Sequence, residues 1–189
     1  MRTSDHPDRW LVVIDIQHVF TDPSSGWSTE GSDAAMPVIK DLTERFRGRT
    51  VLTRFVRDPL ETGAWGPYYD RWTEFRLPAD HPRWGLSLDL PTDAPVVDEP
   101  TFSKWTPRLR EVVGDADLVL CGVATECCVL STAFGAADAG RSVTVVGDAC
   151  AGATTSAHAT ALELMHANAP LISVVTAAEL VAAEVVVGG

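Results

Sequence analysis

Basic side chains are scarce in this 189-residue chain: 15 Lys and Arg stand against 26 Asp and Glu, a net charge of −11. A nucleic-acid binder releases counterions through a basic stripe, and no run of Lys and Arg here forms one. Docking to an anionic membrane surface is disfavoured on the same ground. No apolar run approaches the roughly 20 residues needed to cross a bilayer. Residues 1–9 are polar and carry both charge signs, without the apolar stretch and small-residue cleavage site of a secretion signal, so the expected location is the cytoplasm. Cysteine is limited to Cys121, Cys127, Cys128 and Cys150, all in the second half and two of them adjacent. That is no disulfide framework; in a reducing compartment such thiols are core residues or, in one case, a nucleophile. Three motifs are also missing. Without Gly-x-Gly-x-x-Gly a dinucleotide cofactor is not expected, and no other cofactor is implied. The absence of a P-loop and of Gly-x-Ser-x-Gly removes the P-loop NTPases and the usual α/β serine hydrolases.

What is present is an ordinary globular composition, 46% hydrophobic and 22% charged, with no repeat, low-complexity segment or linker. Residues 1–189 therefore read as a single domain. Short apolar, β-branched runs at 10–14, 50–56, 95–97, 118–123, 142–146 and 171–175 predict strands. Helical stretches are expected at 33–46, 126–139, 156–168 and 177–185, several stopped by Gly or Pro. Alternation of near-continuous apolar strands with helices implies an α/β protein, a parallel sheet covered by helices on both faces. Residues 57–94 break the rhythm, with eight Gly and Pro interleaved with Trp65, Tyr68, Tyr69, Trp72, Phe75 and Trp84. Such an insertion is either a surface loop pinned by aromatic anchors or a cover over a site or an interface.

In an open parallel sheet ligands bind beyond the carboxyl ends of the strands, where strand order reverses. Asp15 ends the first strand, too deep for a solvated charge, so it is a buried structural acceptor or a general acid/base. After the fourth strong run comes Cys121-Gly-Val-Ala-Thr-Glu-Cys-Cys-Val129. Thr125 suits an N-cap, which would put Cys127 and Cys128 in a first helical turn, where the helix dipole and free amides favour thiolate. Those amides could also hold an oxyanion. Both cysteines could equally be small core hydrophobes, and periodicity does not choose between them. A carboxylate beside a thiol is an acid/base arrangement for nucleophilic catalysis. Lys104 could supply the cation, or be a surface lysine at a helix start.

Asp15-x-Gln17-x-x-Phe20, Gly122-Val-Ala-Thr-x-x-Cys128-Val129, Ala136-x-Asp138-x-Gly140 and Asp148-Ala-Cys together resemble the isochorismatase-like cysteine hydrolases, a superfamily that includes nicotinamidases and N-carbamoylsarcosine and ureidoacrylate amidohydrolases. The resemblance covers nearly the whole chain in order. It implies a three-layer α/β/α fold, a six-stranded parallel sheet of order 3-2-1-4-5-6, and a homo-oligomer, dimer or tetramer. It also implies Asp15 as acid/base, Cys128 rather than Cys127 as nucleophile, a cis peptide at Val123-Ala124, and an oxyanion hole from the amides of Ala124 and Cys128. Gln17, Phe20 and Thr125 from the matched motifs join Trp27, Trp65 and Trp72 as candidate pocket residues; Trp84 too hints at a flat or apolar ligand.

The sequence departs from the family pattern at two places. Aligning the family's aromatic-Ser pair on Phe102-Ser103 puts Glu99 where its lysine is expected, so either Lys104 reaches back to fill the role or the site runs on another charge balance. A thiolate beside a carboxylate needs a nearby cation, which favours Lys104. The metal-ligand positions of nicotinamidases correspond to Phe55 and Arg57, and His81 alone cannot make a site, so no metal is expected. The reading is a cysteine hydrolase that cleaves a C–N bond of a small amide, carbamoyl or ureido compound through an acyl-cysteine. The alternatives are an isochorismatase-type vinyl ether hydrolase and a catalytically silent relative that binds a small molecule.

Overall fold

The computed structural model describes residues 9–87 and 93–187. Residues 1–8, on which the expectation of no secretion signal rests, and Pro91 of the insertion lie outside the described residues. The strands are β1 (Arg9–Ile14), β2 (Thr50–Phe55), β3 (Val96–Glu99), β4 (Asp117–Val123), β5 (Val143–Ala151) and β6 (Ile172–Val175). The helices are α1 (His18–Thr21), α2 (Ser32–Arg45), α3 (Trp65–Arg71), α4 (Pro107–Val113), α5 (Leu130–Asp138), α6 (Thr155–His166) and α7 (Ala177–Val187). All six strands pair in parallel in the order β3-β2-β1-β4-β5-β6, the order the resemblance implies.

Side chains alternate across a strand, so a strand covered on both faces must be apolar at every position. In β1, Leu11 and Val13 join one core with Ile39 and Leu42 of α2 and Leu180 of α7. Val12 and Ile14 join the other, with Leu109 of α4, Ala133 and Ala136 of α5, and Met165 of α6. Burial of each large β1 side chain contributes about 1.5–3 kcal/mol, which holds the central strand and fixes where Asp15 emerges from it.

The chain runs from β1 outward through β2 to β3, then crosses back to lay β4 on the other side of β1. The reversal point therefore lies between β1 and β4, with Ile14 opposite Gly122. Gly122 is required there. Its φ is +115°, and a Cβ would stand 2.1 Å from the Ile14 carbonyl oxygen, so only glycine lets the two strand ends approach this closely.

Several elements depart from the sequence reading. β5 continues to Ala151 rather than ending at Val146, because a register shift between Leu120 and Gly122 lets Cys150 and Ala151 pair again with β4. Thr106-Pro107 opens the unanticipated helix α4, with Pro at the first position, where its missing N–H costs nothing. Segment 57–94 contains α3 and two 3₁₀ turns, Thr73–Phe75 and Pro82–Trp84, although its many Gly and Pro suggest an irregular loop. An ion-pair cluster ties it together: Arg76 reaches Glu61 at 2.9 Å and Asp70 at 2.6 Å, and Arg57 reaches Glu61 at 2.5 Å.

Gln17, a candidate pocket residue by motif, is instead a fully buried clasp. Its amide nitrogen donates to the carbonyls of Phe55 (3.1 Å) and Trp84 (2.7 Å), and its Oε1 accepts from the Phe55 N–H at 2.7 Å. It thus joins β1, β2 and the insertion. Gln17→Leu strands three backbone groups, each costing about 1–3 kcal/mol when buried without a partner. Urea unfolding of this variant is expected to show a loss of about 3 kcal/mol; a loss within about 0.5 kcal/mol, the range of an ordinary surface substitution, would refute the clasp.

Candidate active site

The two strand ends at the reversal point carry the site. Asp15 follows β1 directly and has φ +52°, a left-handed conformation uncommon for a non-glycine residue. Thr53 of β2 holds it there: the Asp15 N–H donates to Thr53 Oγ1 at 3.3 Å, and that hydroxyl donates to Asp15 Oδ1 at 2.6 Å. The carboxylate is thereby fixed from below, with Oδ2 turned toward Lys104.

Lys104 does reach the site. Its Nζ lies 3.0 Å from Asp15 Oδ2, with both side chains fully buried. The ammonium also donates to the Thr101 carbonyl at 2.8 Å and lies 4.9 Å from the centre of the Phe55 ring. Its backbone N–H donates to Thr132 Oγ1 (2.8 Å), whose hydroxyl donates to the Cys128 carbonyl (2.7 Å), so the lysine loop is tied to the cysteine turn. Glu99, at the aligned lysine position, accepts from the Thr106 hydroxyl at 2.7 Å and helps to hold the start of α4.

β4 leads through a cis Val123-Ala124 peptide into a π-helical turn, Thr125–Val129, whose Cys127 and Val129 amides both donate to the Ala124 carbonyl at 3.1 and 3.2 Å. The cap expectation is corrected here. Ala124 occupies the N-cap, and the Thr125 hydroxyl bonds His158 Nδ1 at 2.8 Å instead, because the wider turn points this side chain toward α6. Cys128 is buried beside Asp15 and Lys104. Burial, then the Asp15 carboxylate, pushes its thiol well above the ordinary range, while the Lys104 ammonium acts in the opposite direction. Burial thus acts on this thiol against the helix-terminus effect that the sequence position suggests. Cys127, half-buried, is pushed up to about 11 by burial and by Glu126.

A cavity of about 230 Å³ opens on this turn, lined by Ala124, Cys127 and Cys128, by Phe20, Trp27, Phe55, Tyr68, Trp72 and Phe102, and by Ser28 and Glu126. Of the candidate pocket residues Phe20, Trp27 and Trp72 line it, while Gln17, Trp65 and Thr125 do not. Trp65 stands behind the wall, its ring edge-on to Tyr68 and Phe102 at 5.3 Å. Trp84 is core, its indole N–H donating to the Pro78 carbonyl at 3.0 Å. Phe55, Tyr68, Phe102 and Glu126 are wall residues that the sequence reading missed. Tyr68 was visible as part of an aromatic segment, and Phe102 as a neighbour of the lysine. The insertion thus supplies cavity wall through Tyr68 and Trp72.

Of the two positions at which the resemblance raised the question of metal ligands, Phe55 is buried among rings and Arg57 pairs with Glu61. Among the described residues no group of three or more His, Cys, Asp and Glu side chains is placed to hold a metal, so the donor set does not fit one. No helix among them is long and apolar enough to cross a membrane.

Residues 9–179 match the isochorismatase domain, and the chain belongs to that family of hydrolases. It is similar to a cysteine hydrolase from Pseudomonas syringae pv. phaseolicola, with a TM-score of 0.82 and 19% identity over 95% of this chain and 93% of that one. It also resembles the pyrazinamidase of Pyrococcus horikoshii in complex with zinc, with a TM-score of 0.72 and 25% identity over 90% of this chain and 99% of that one. Isochorismatase domain-containing protein 2 of Xenopus laevis is 36% identical over 78 residues, 37% of this chain and 38% of the relative's length.

Proposed function

We propose that the protein is a metal-independent amidohydrolase that cleaves a C–N bond of a small amide, carbamoyl or ureido compound through an acyl-cysteine intermediate. The observation that carries the reading is the buried Lys104–Asp15 pair at 3.0 Å beside the Cys128 thiol at the floor of the cavity. Asp15 takes the proton from Cys128 as sulfur attacks the substrate carbonyl carbon. The C–S bond forms, and negative charge moves to the carbonyl oxygen, held by the amides of Ala124 and Cys128. Asp15 then gives the proton to the departing nitrogen, the C–N bond breaks, and ammonia or an amine leaves. A water molecule that loses its proton to Asp15 attacks the thioester carbonyl carbon, the C–S bond breaks to release the carboxylic or carbamic acid, and the proton passes from Asp15 back to sulfur. Lys104 holds the Asp15 carboxylate in place through the buried pair at 3.0 Å and offsets its negative charge between proton transfers.

A vinyl ether hydrolase of the isochorismatase type needs no thiol, and a buried cysteine next to an acid/base pair favours acyl transfer. The silent-relative reading drew on Glu99 in the lysine position; Lys104 supplies that missing cation from five residues later.

A screen of small amides for ammonia release, followed by acid quench and intact-mass measurement, is expected to show a transient acyl adduct that peptide mapping assigns to Cys128. Turnover is expected to survive exhaustive chelation with EDTA. Loss of activity on chelation with recovery on added zinc, or an adduct on Cys127, would overturn the mechanism.

A further inference from the structure

The cavity holds one uncompensated charge. Among the described residues no Lys, Arg or His side chain lines it, and the described wall has six aromatic rings and a single carboxylate, Glu126. Asp15 and Lys104 cancel as a buried pair. Glu126 Oε1 accepts from the Ala153 N–H at 2.8 Å, while its Oε2 is buried with no hydrogen-bond partner. Space for that oxygen exists because residue 152 is glycine: a Cβ there would stand 2.6 Å from Oε2. His158 packs nearby, where burial lowers its pKa against the Glu126 carboxylate, which raises it, and its Nδ1 is engaged by the Thr125 hydroxyl at 2.8 Å. Arg71 lies 5.4 Å over the Trp72 ring and is exposed to solvent, where its charge is screened. Glu74 near Gly26 at the cavity edge is likewise exposed and screened.

We propose that this cavity selects an amide whose non-reacting part is an organic cation, a flat pyridinium-type or small quaternary ammonium group, held between the aromatic rings with Glu126 as its counter-charge. The inference rests on the amidohydrolase reading and narrows its substrate class. Aromatic faces carry negative quadrupole density, and a desolvated cation over a ring is attracted without any hydrogen bond. Glu126 acts through space in a poorly solvated setting, where one charge is felt more strongly than in water. A carboxylate-bearing substrate would meet the same field with the opposite sign and find no cation to pair with. The buried indole N–H of Trp27 also lacks a partner, but a neutral dipole does not choose the sign of a ligand.

The test uses three ligands of nearly one shape: the N-methylnicotinamide cation, its neutral isostere meta-toluamide, and the anion isophthalamate. Binding is measured by calorimetry to the Cys128→Ser protein, so that nothing is consumed. The cation is expected to bind roughly ten-fold tighter than meta-toluamide, with isophthalamate weakest. In Glu126→Gln the ratio of cation to neutral affinity is expected to fall several-fold. Isophthalamate binding as tightly as the cation, no binding of any of the three, or a ratio unmoved in a folded Glu126→Gln protein would overturn the proposal. Should that variant not fold, the ranking in the parent protein decides. If the ranking holds but the Cys128-intact enzyme hydrolyses none of the three or of the wider amide panel, the hydrolytic reading fails while the cavity's charge selection stands.

Discussion

Replacing Cys128 with Ser is expected to lower turnover by roughly three orders of magnitude or more, with the fold retained, whereas Cys127→Ser keeps most of the activity. Both thiols line the same cavity, so exposure alone would favour Cys127, which is the less buried of the two. Proximity to a base decides otherwise: Asp15 and Lys104 act on the Cys128 thiol, and the anion facing Cys127 is Glu126, which only raises its pKa. A serine hydroxyl in place of the Cys128 thiol is a far weaker acid and a poorer nucleophile toward the same carbonyl. The raised pKa of Cys128 gives the experiment a second readout. With burial and Asp15 raising the pKa of this thiol, alkylation without substrate is expected to accelerate about ten-fold per pH unit from about pH 7 to 9, with no neutral plateau. A plateau near pH 7 would mean a preformed thiolate and would remove the need for Asp15 to act as base. Full activity in Cys128→Ser would end the nucleophile assignment outright.

The sheet was legible because each central strand is covered on two faces, which leaves an unbroken apolar run such as Leu11 to Ile14 that few other structures produce. Asp15 and the cysteine pair come together only if strands one and four flank the reversal point, an order that the family resemblance implies and that apolar runs alone do not fix; Ile14 opposite Gly122 bears it out. The limits lie where local signals were outvoted. Gly147 and Asp148 read as the end of β5, but the strand continues past them once β4 shifts register, and Asp148 turns outward to accept from the Ala177 N–H at 2.8 Å. Thr125 reads as a cap only if the following turn is α-helical; in a π-helical turn its hydroxyl faces His158. The cavity wall was least accessible. Phe55 reads as an ordinary β2 core residue, and nothing in the spacing of Tyr68, Trp72 and Phe102 says that a helix of the insertion and the lysine loop bring them against Trp27. Lys104 was legible from charge balance, since a thiolate beside a carboxylate needs a cation, and from its closeness to the lysine position that Glu99 occupies; its Nζ lies 3.0 Å from Asp15 Oδ2.

That ion pair sets the other large effect. With both side chains fully buried at 3.0 Å, neither charge has water to solvate it, so each depends on the other. Removing one partner of such a pair typically costs about 3–5 kcal/mol, because the survivor is left as an uncompensated buried charge. Lys104→Met keeps most of the volume of the lysine stem and deletes the ammonium. It is expected to lose stability in that range by urea unfolding and to lose turnover by orders of magnitude. Stability and chemistry are separable through Asp15→Asn. The double variant Asp15→Asn/Lys104→Met buries no charge, and is expected to regain most of the stability lost in Lys104→Met while remaining inactive, since no base is left. The proton on Cys128 reports independently. Lys104 lowers the pKa of this thiol against burial and Asp15, so in Lys104→Met the alkylation profile is expected to shift to still higher pH. A variant that unfolds at the same urea concentration as the parent, turns over within ten-fold of it and keeps its alkylation profile would show that the ammonium near Asp15 neither holds the carboxylate nor tunes the thiol.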